Sequence, residues 1–143
     1  MSTAIHDRPG FHRHLLRRNA VGHFVLQGRV GDEVFDILVD TGAASTILDL
    51  DWARSRNIPL VDTGRLGGGA GGASLPIYAL GNISFTLGGQ AVRSDGIFAL
   101  DMSHVNRGLA MKGAKPVAAV LGADVLTHHQ AIIDYGSDSM YLR

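Results

Sequence analysis

Two aspartates in this chain stand in the same setting, Asp40-Thr41-Gly42 and Asp62-Thr63-Gly64. A carboxylate followed by a hydroxyl and a glycine is suited to acid–base work on water. The hydroxyl can tie the loop to a neighbour. The glycine permits a tight turn that leaves its N–H beside the carboxylate. Hydrolysis of an amide needs a base that activates water and an acid that protonates the departing nitrogen. Two carboxylates held close together supply both, because like charges at short range do not both ionise and one keeps a proton. Such a pair titrates as a unit.

The surroundings separate the two aspartates. Asp40 follows Ile37-Leu38-Val39, an apolar run that reads as a strand buried on both faces, so the chain delivers a charge to the end of a buried element. Small residues, Ala43-Ala44-Ser45, come after it. Asp62 has only the short lead Pro59-Leu60-Val61, and Arg65 rather than a small residue follows its glycine. The two aspartates lie about 22 residues apart, far short of a second lobe of domain size. Asp40 is therefore the catalytic candidate and Asp62 a turn residue at the foot of a hairpin. Asp124 reads as a helix N-cap, and Asp134 as a structural carboxylate at a strand end. His128-His129 are neighbours on a short helix and diverge, so they make a poor chelate, and no His-Glu-x-x-His motif occurs. The tract Gly67-Gly68-Gly69-Ala70-Gly71-Gly72 lacks the Gly-Lys-Ser/Thr ending of a phosphate cradle.

The elements that must position Asp40 follow from the patterning. A strand starts near Val21, turns at Gly31-Asp32 and returns over Val34 to Val39. Thr46-Ile47-Leu48 is a further short strand. Asp49 caps a short helix that carries Trp52 and stops at Asn57 and Pro59. Residues 60–80 form a hairpin with a glycine tip, whose Ile77 and Tyr78 could face a substrate or simply pack. Ile83, Phe85 and Leu87 alternate before a Gly88-Gly89 turn, and residues 97–100 form another strand. Residues 102–115 read as an irregular connection, 117–121 as a buried strand, and 124–129 as a second short helix. Ile132 to Tyr135 and Met140 to Leu142 make a last hairpin. The domain is mostly β. Residues 1–19, polar and rich in Arg and His, read as a flexible arm ahead of one domain over 20–143.

Composition removes other chemistries. The formal net charge is +0, from 13 basic and 13 acidic side chains, so bulk charge recruits neither nucleic acid nor an anionic membrane. With no cysteine, disulfides, thiolate catalysis and cysteine-based zinc sites are excluded. No apolar run reaches the length of a membrane span, and the N-terminus shows no signal-peptide core. The expectation is a cytoplasmic protein.

Ile37-Leu38-Val39-Asp40-Thr41-Gly42-Ala43-Ala44-Ser45 resembles the active-site loop of retropepsin-like aspartic proteases. The glycine hairpin at 67–72 sits where that family has its flap. Val120-Leu121-Gly122 is similar to the family's second element, which packs behind the catalytic loop. Gly122-Ala123-Asp124-Val125-Leu126 and Ile132-Ile133-Asp134-Tyr135 resemble the ending of cellular and bacterial members. The resemblance spans roughly residues 20 to 143. It implies a closed β-barrel with a flap hairpin and two short helices, one lobe per chain. It implies a homodimeric aspartic endopeptidase in which each chain lends its Asp40 to one shared site. Thr41 would bond across the interface, Gly42 would donate toward the carboxylates, and Ala43 would complete the loop. Residues Gly67, Gly68, Gly69, Ala70, Gly71 and Gly72 would close over an extended polypeptide substrate. No metal or cofactor is required, and an acidic to mildly acidic optimum is expected. The rival expectation is a binding or scaffolding module that keeps the fold with little turnover.

Overall fold

The computed structural model describes residues 9–68, 74–93 and 96–143. The hairpin that leads to Asp40 is formed by β3 (Phe24–Val30) and β4 (Glu33–Val39), paired from Val25↔Leu38 to Val30↔Glu33. Gly31 turns it with φ 56°, a conformation glycine adopts without a Cβ penalty. In β3 the alternation puts Leu26 and Val30 inside and Gln27 and Arg29 outside. In β4 the alternation gives way to Ile37 and Leu38 buried in succession.

The reason is a pair of cores, one on each face. Ile37, Ala119 and Leu121 belong to the larger, with Leu26, Phe35, Leu48, Leu87 and Val125. Leu38 and Val120 belong to the smaller, with Val25, Met102, Leu109 and Val117. Each fully buried aliphatic side chain contributes about 1.5–3 kcal/mol relative to exposure. The strand next to β4 is β11 (Ala119–Leu121), which pairs with it in parallel and with β5 (Ile47–Asp49) antiparallel. Thus β11 lies between the two strands that the Asp40 loop connects.

Beyond β5 the sheet continues through β10 (Phe98–Leu100) to the hairpin of β7 (Ser74–Leu80) and β6 (Leu60–Gly68). On the other side β3 carries β8 (Phe85–Leu87) and, along its first residues, β2 (Arg17–Arg18). The last strand is β9 (Gln90–Ala91), paired with β8. The order β6-β7-β10-β5-β11-β4-β3-β8-β9 is an open path, and the described strands do not close into a barrel. Outer strands β6 and β9 each have one neighbour, and the C-terminal strands form a separate sheet.

That second sheet is β1 (His12–Leu15), β13 (Ser139–Leu142) and β12 (Ile132–Asp134), in the order β1-β13-β12. His12–Leu15 and Arg17–Arg18, expected in a flexible arm, are thus paired strands. Arg13 donates to Ser139 Oγ (2.9 Å), and Arg18 stacks on Phe24 and Tyr135 and pairs with Asp138 at 2.9 Å. His14 is buried, and its Nε2 meets Gln90 Oε1 at 2.7 Å, while Gln90 donates to the Leu142 carbonyl. Burial holds the His14 ring below the usual histidine range; the Gln90 bond opposes this, and His12 and His129 add to it.

Three helices are present among the described residues, one more than expected. They are α1 (Leu50–Ser55), α2 (Ser103–Met111) and α3 (Ala123–His128). As expected, Asp49 caps α1, accepting from the Trp52 N–H at 3.2 Å, and its other oxygen accepts from Met102 N–H at 3.0 Å. The extra helix, α2, falls in the stretch expected to be irregular. It has no side-chain cap on Met102 and carries Gly108 inside, so the usual start signal and propensity are missing. Leu109 and Met102 nevertheless anchor it on the smaller core.

Candidate active site

Asp40 is the first residue after β4, where the chain leaves the sheet. Its N–H donates to the Leu121 carbonyl at 3.0 Å, which ties the start of the loop to the end of β11. Asp40 Oδ1 accepts the Gly42 N–H at 2.9 Å, and the Ala43 N–H donates to the Asp40 carbonyl at 3.1 Å. The carboxylate is therefore oriented by its own loop. Asp40, Thr41 and Gly42 are exposed in the single chain, and Ala43 is half-buried. The buried run stops one residue sooner than the apolar run Ile37-Leu38-Val39 suggests: it ends at Leu38, Val39 is half-buried, and the loop projects Asp40 from the sheet.

Val120, Leu121 and Gly122 are all three buried beside the loop. The contact is close. A Cβ on Gly122 would meet Ser45 C and O at 2.7 Å and Ala43 O at 2.9 Å, so the loop backbone rests directly on this glycine. From the turn into α3, Ala123 N–H donates to Ala43 O at 2.7 Å and Asp124 N–H to Ala44 O at 3.2 Å. Asp124 does not cap α3, whose N-cap is Gly122 with no side-chain bond. Instead its Oδ1 accepts the Thr46 hydroxyl at 2.7 Å, and Thr46 Oγ1 accepts the Gly122 N–H at 2.9 Å. Thr46 is fully buried, and sequence reasoning passed over it. A hydroxyl directly ahead of the apolar pair Ile47-Leu48, at the start of β5, was the available signal.

The second Asp-Thr-Gly has a different setting. Residues 62–65 form a bulge within β6, where the register with β7 shifts between Asp62 and Arg65. Gly64 has φ 68°, its N–H donates to Asp62 Oδ1 at 2.9 Å, and the Thr63 hydroxyl donates to Ile77 O at 2.7 Å. Asp62, expected as a turn residue at the foot of the hairpin, is a bulge residue of its outer strand. Asp134 accepts from Gly136 N–H and the Ser137 hydroxyl across the β12–β13 turn, a structural role as expected.

Two grooves open beside Thr41. One, of about 270 Å³, is lined by His23, Val39, Asp40, Thr41, Ile133 and Tyr135 among others. The other, of about 320 Å³, is lined by Thr41, Ala123, Leu126, Ala131 and Ile133 among others. Strand β12, which carries Ile133, is an open edge of its sheet. Of the expected flap residues, Gly67 and Gly68 end β6; Gly69, Ala70, Gly71 and Gly72 lie outside the described residues. Tyr78 accepts a bond from Arg54 at 3.0 Å, and that cation lies over its ring. Among the described residues no His, Asp and Glu side chains gather to hold a metal ion, and no helix is long and apolar enough to cross a membrane.

Comparison with solved structures finds the same fold in proteases. A retropepsin-like aspartic protease from Rickettsia conorii superposes with a TM-score of 0.58 at 18% identity, covering 92% of this chain and 91% of that one. The retroviral protease-like domain of Ddi1 from Leishmania major gives 0.54 at 16% identity, covering 82% and 86%. The EIAV protease, solved with an inhibitor, gives 0.54 at 19% identity, covering 77% and 90%. No curated protein sequence matches. The aspartyl protease family profile matches residues 26–125, from within β3 to the start of α3. On that match, which covers most of the chain, and on a mostly-β fold shared with retropepsin-like enzymes, the chain belongs to the aspartyl protease family.

Proposed function

We propose that the chain is a homodimeric aspartic endopeptidase whose active site is completed by a second copy. The observation that carries this reading is the presentation of one carboxylate, Asp40, on an open loop, while the other Asp-Thr-Gly is folded into a strand bulge. A hydrolytic dyad needs two carboxylates, and a two-fold axis beside Thr41 would bring in the second Asp40. One carboxylate takes a proton from the attacking water, and the protonated partner supplies one to the departing nitrogen. Thr41 bonds to the facing loop, Gly42 donates toward the carboxylates, and Ala43 leaves room beside them. Val120, Leu121 and Gly122 hold the loop from behind. The β6–β7 hairpin, in which Gly67 and Gly68 end β6, closes over an extended polypeptide that binds by strand addition. The apolar rim formed by Val39, Leu126, Ala131 and Ile133 and the open edge of β12 suit contact with a second protomer.

The test is sedimentation of the wild type together with cleavage of a peptide library from acidic to neutral pH. The expected result is a dimer that cleaves best at acidic to mildly acidic pH, and an Asp40→Asn variant with no activity. That variant should dimerise at least as tightly, since two facing carboxylates no longer repel. A monomer that cleaves nothing would refute the proposal and favour the binding-module alternative. In that case Asp40→Asn would alter only stability.

A further inference from the structure

The loop that presents Asp40 is pinned to one place at both ends. At its start, the Asp40 N–H bonds to Leu121 O. At its end, Ala43 O and Ala44 O accept from Ala123 and Asp124, and Thr46 Oγ1 sits between Gly122 N–H and the Asp124 carboxylate. All these bonds converge on the turn from β11 into α3. Two side chains complete the joint, Thr46 and Asp124.

We infer that Thr46 and Asp124 are positioning residues for catalysis, setting the placement of Asp40 through the loop rather than touching substrate. The inference rests on the protease reading. A threonine hydroxyl has one proton, and here it goes to Asp124 Oδ1 at 2.7 Å, in the range of a charge-assisted bond. That donation fixes the rotor and turns a lone pair toward the Gly122 N–H. Thr46 is fully buried, so no solvent molecule takes its place if the hydroxyl is removed. The joint also ties the loop to α3, whose Ala123 and Leu126 line the groove beside Thr41. One unit thus carries both the carboxylate and part of the rim expected to face the partner. Two-fold symmetry amplifies its importance: a shift of one Asp40 toward or away from the axis is mirrored by the other, and their separation changes by twice that shift. Catalytic geometry tolerates little such error.

The experiment compares wild type with Thr46→Val, Thr46→Ser and Asp124→Asn, using amide hydrogen exchange and steady-state cleavage of a peptide substrate. Thr46→Val keeps the side-chain shape and removes the hydroxyl. It should speed exchange at Gly122, Ala123 and Asp124 by roughly tenfold or more, while the β3–β4 amides stay protected. It should lower kcat by about tenfold or more with KM changed less than about threefold. Thr46→Ser should restore both, and Asp124→Asn, whose amide oxygen still accepts, should fall between. Unchanged local exchange in Thr46→Val would overturn the inference. So would unchanged kcat, or a loss that tracks a general fall in stability and is not rescued by serine. If Thr46→Val does not fold, Asp124→Asn against Thr46→Ser decides by the same two readouts. If the wild type cleaves no peptide, the protease reading fails, and with it the catalytic role; the exchange arm still reports whether the joint exists.

Discussion

Gly122→Ala isolates the contact between the Asp40 loop and its support. The backbone of Gly122, at φ −104° and ψ −178°, is open to any residue, so the substitution carries no conformational strain of its own. Its effect is steric. The added Cβ would lie 2.7 Å from Ser45 C and O and 2.9 Å from Ala43 O, all backbone atoms that cannot rotate away. Ordinary contact begins near 3.4 Å, so the loop must retreat by roughly 0.5 Å or more, a misplacement within the range that matters for reacting groups. Overpacking of this kind costs about 1–3 kcal/mol. For a chain of this size that corresponds to a Tm lower by roughly 3–12 °C. The same retreat moves Asp40 and should lower kcat by about 10- to 100-fold. Gly108→Ala is the matched control. Gly108 lies in α2 with nothing within 4 Å of a new Cβ, and the change should leave kcat alone and stabilise by about 0.5–1 kcal/mol. Thermal unfolding and peptide cleavage on both variants make the comparison. Wild-type kcat and Tm in Gly122→Ala would refute the claim that the loop rests on this glycine.

Asp62→Ala should keep activity within about threefold and cost less than about 1 kcal/mol, because it removes one exposed bond to Gly64 N–H in a bulge; loss of turnover in a folded Asp62→Ala dimer would reverse the assignment. Burial lowers the His14 titration from its ordinary 6.5, so the folded state binds fewer protons there than the unfolded chain. Stability should therefore fall as pH drops from about 6.5 through the folded value, and level off below it. The measurement is the urea midpoint at several pH values. His14→Gln should show a shallower fall, and an unchanged slope would assign the effect elsewhere.

Much of the candidate site was legible because its signals are local. The apolar run before Asp40 reflects a strand with a core on each face, and the glycines at 31 and 122 mark a turn and a close approach. What escaped were long-range partnerships. His12 to Arg18 has no apolar alternation of its own, and becomes strand only through β13 and β3. Thr46 looks like any strand threonine until Asp124, far along the chain, appears opposite it. Asp124 follows Gly122 as a capping residue would, but its carboxylate is taken by that threonine. Val39 reads as part of the buried run, yet burial ends at Leu38 and Asp40 stands exposed beyond it. The α2 helix is specified by packing against the smaller core rather than by caps or propensity.

The insertion of β11 between β4 and β5 also bears on how the protein comes into being. Its pairing joins Ile37 to Ala119 and Val39 to Leu121, residues separated by roughly eighty positions in the chain. Closing so long a loop is entropically slow, and a nascent chain that has emerged only through the glycine hairpin has nothing to put between these strands. The Asp40 loop then lacks its floor, and the carboxylate has no fixed place. On the protease reading, hydrolytic competence would be deferred until residues 119–121 have been synthesised and threaded into the sheet, and a shorter nascent chain would carry Asp40 without the means to use it.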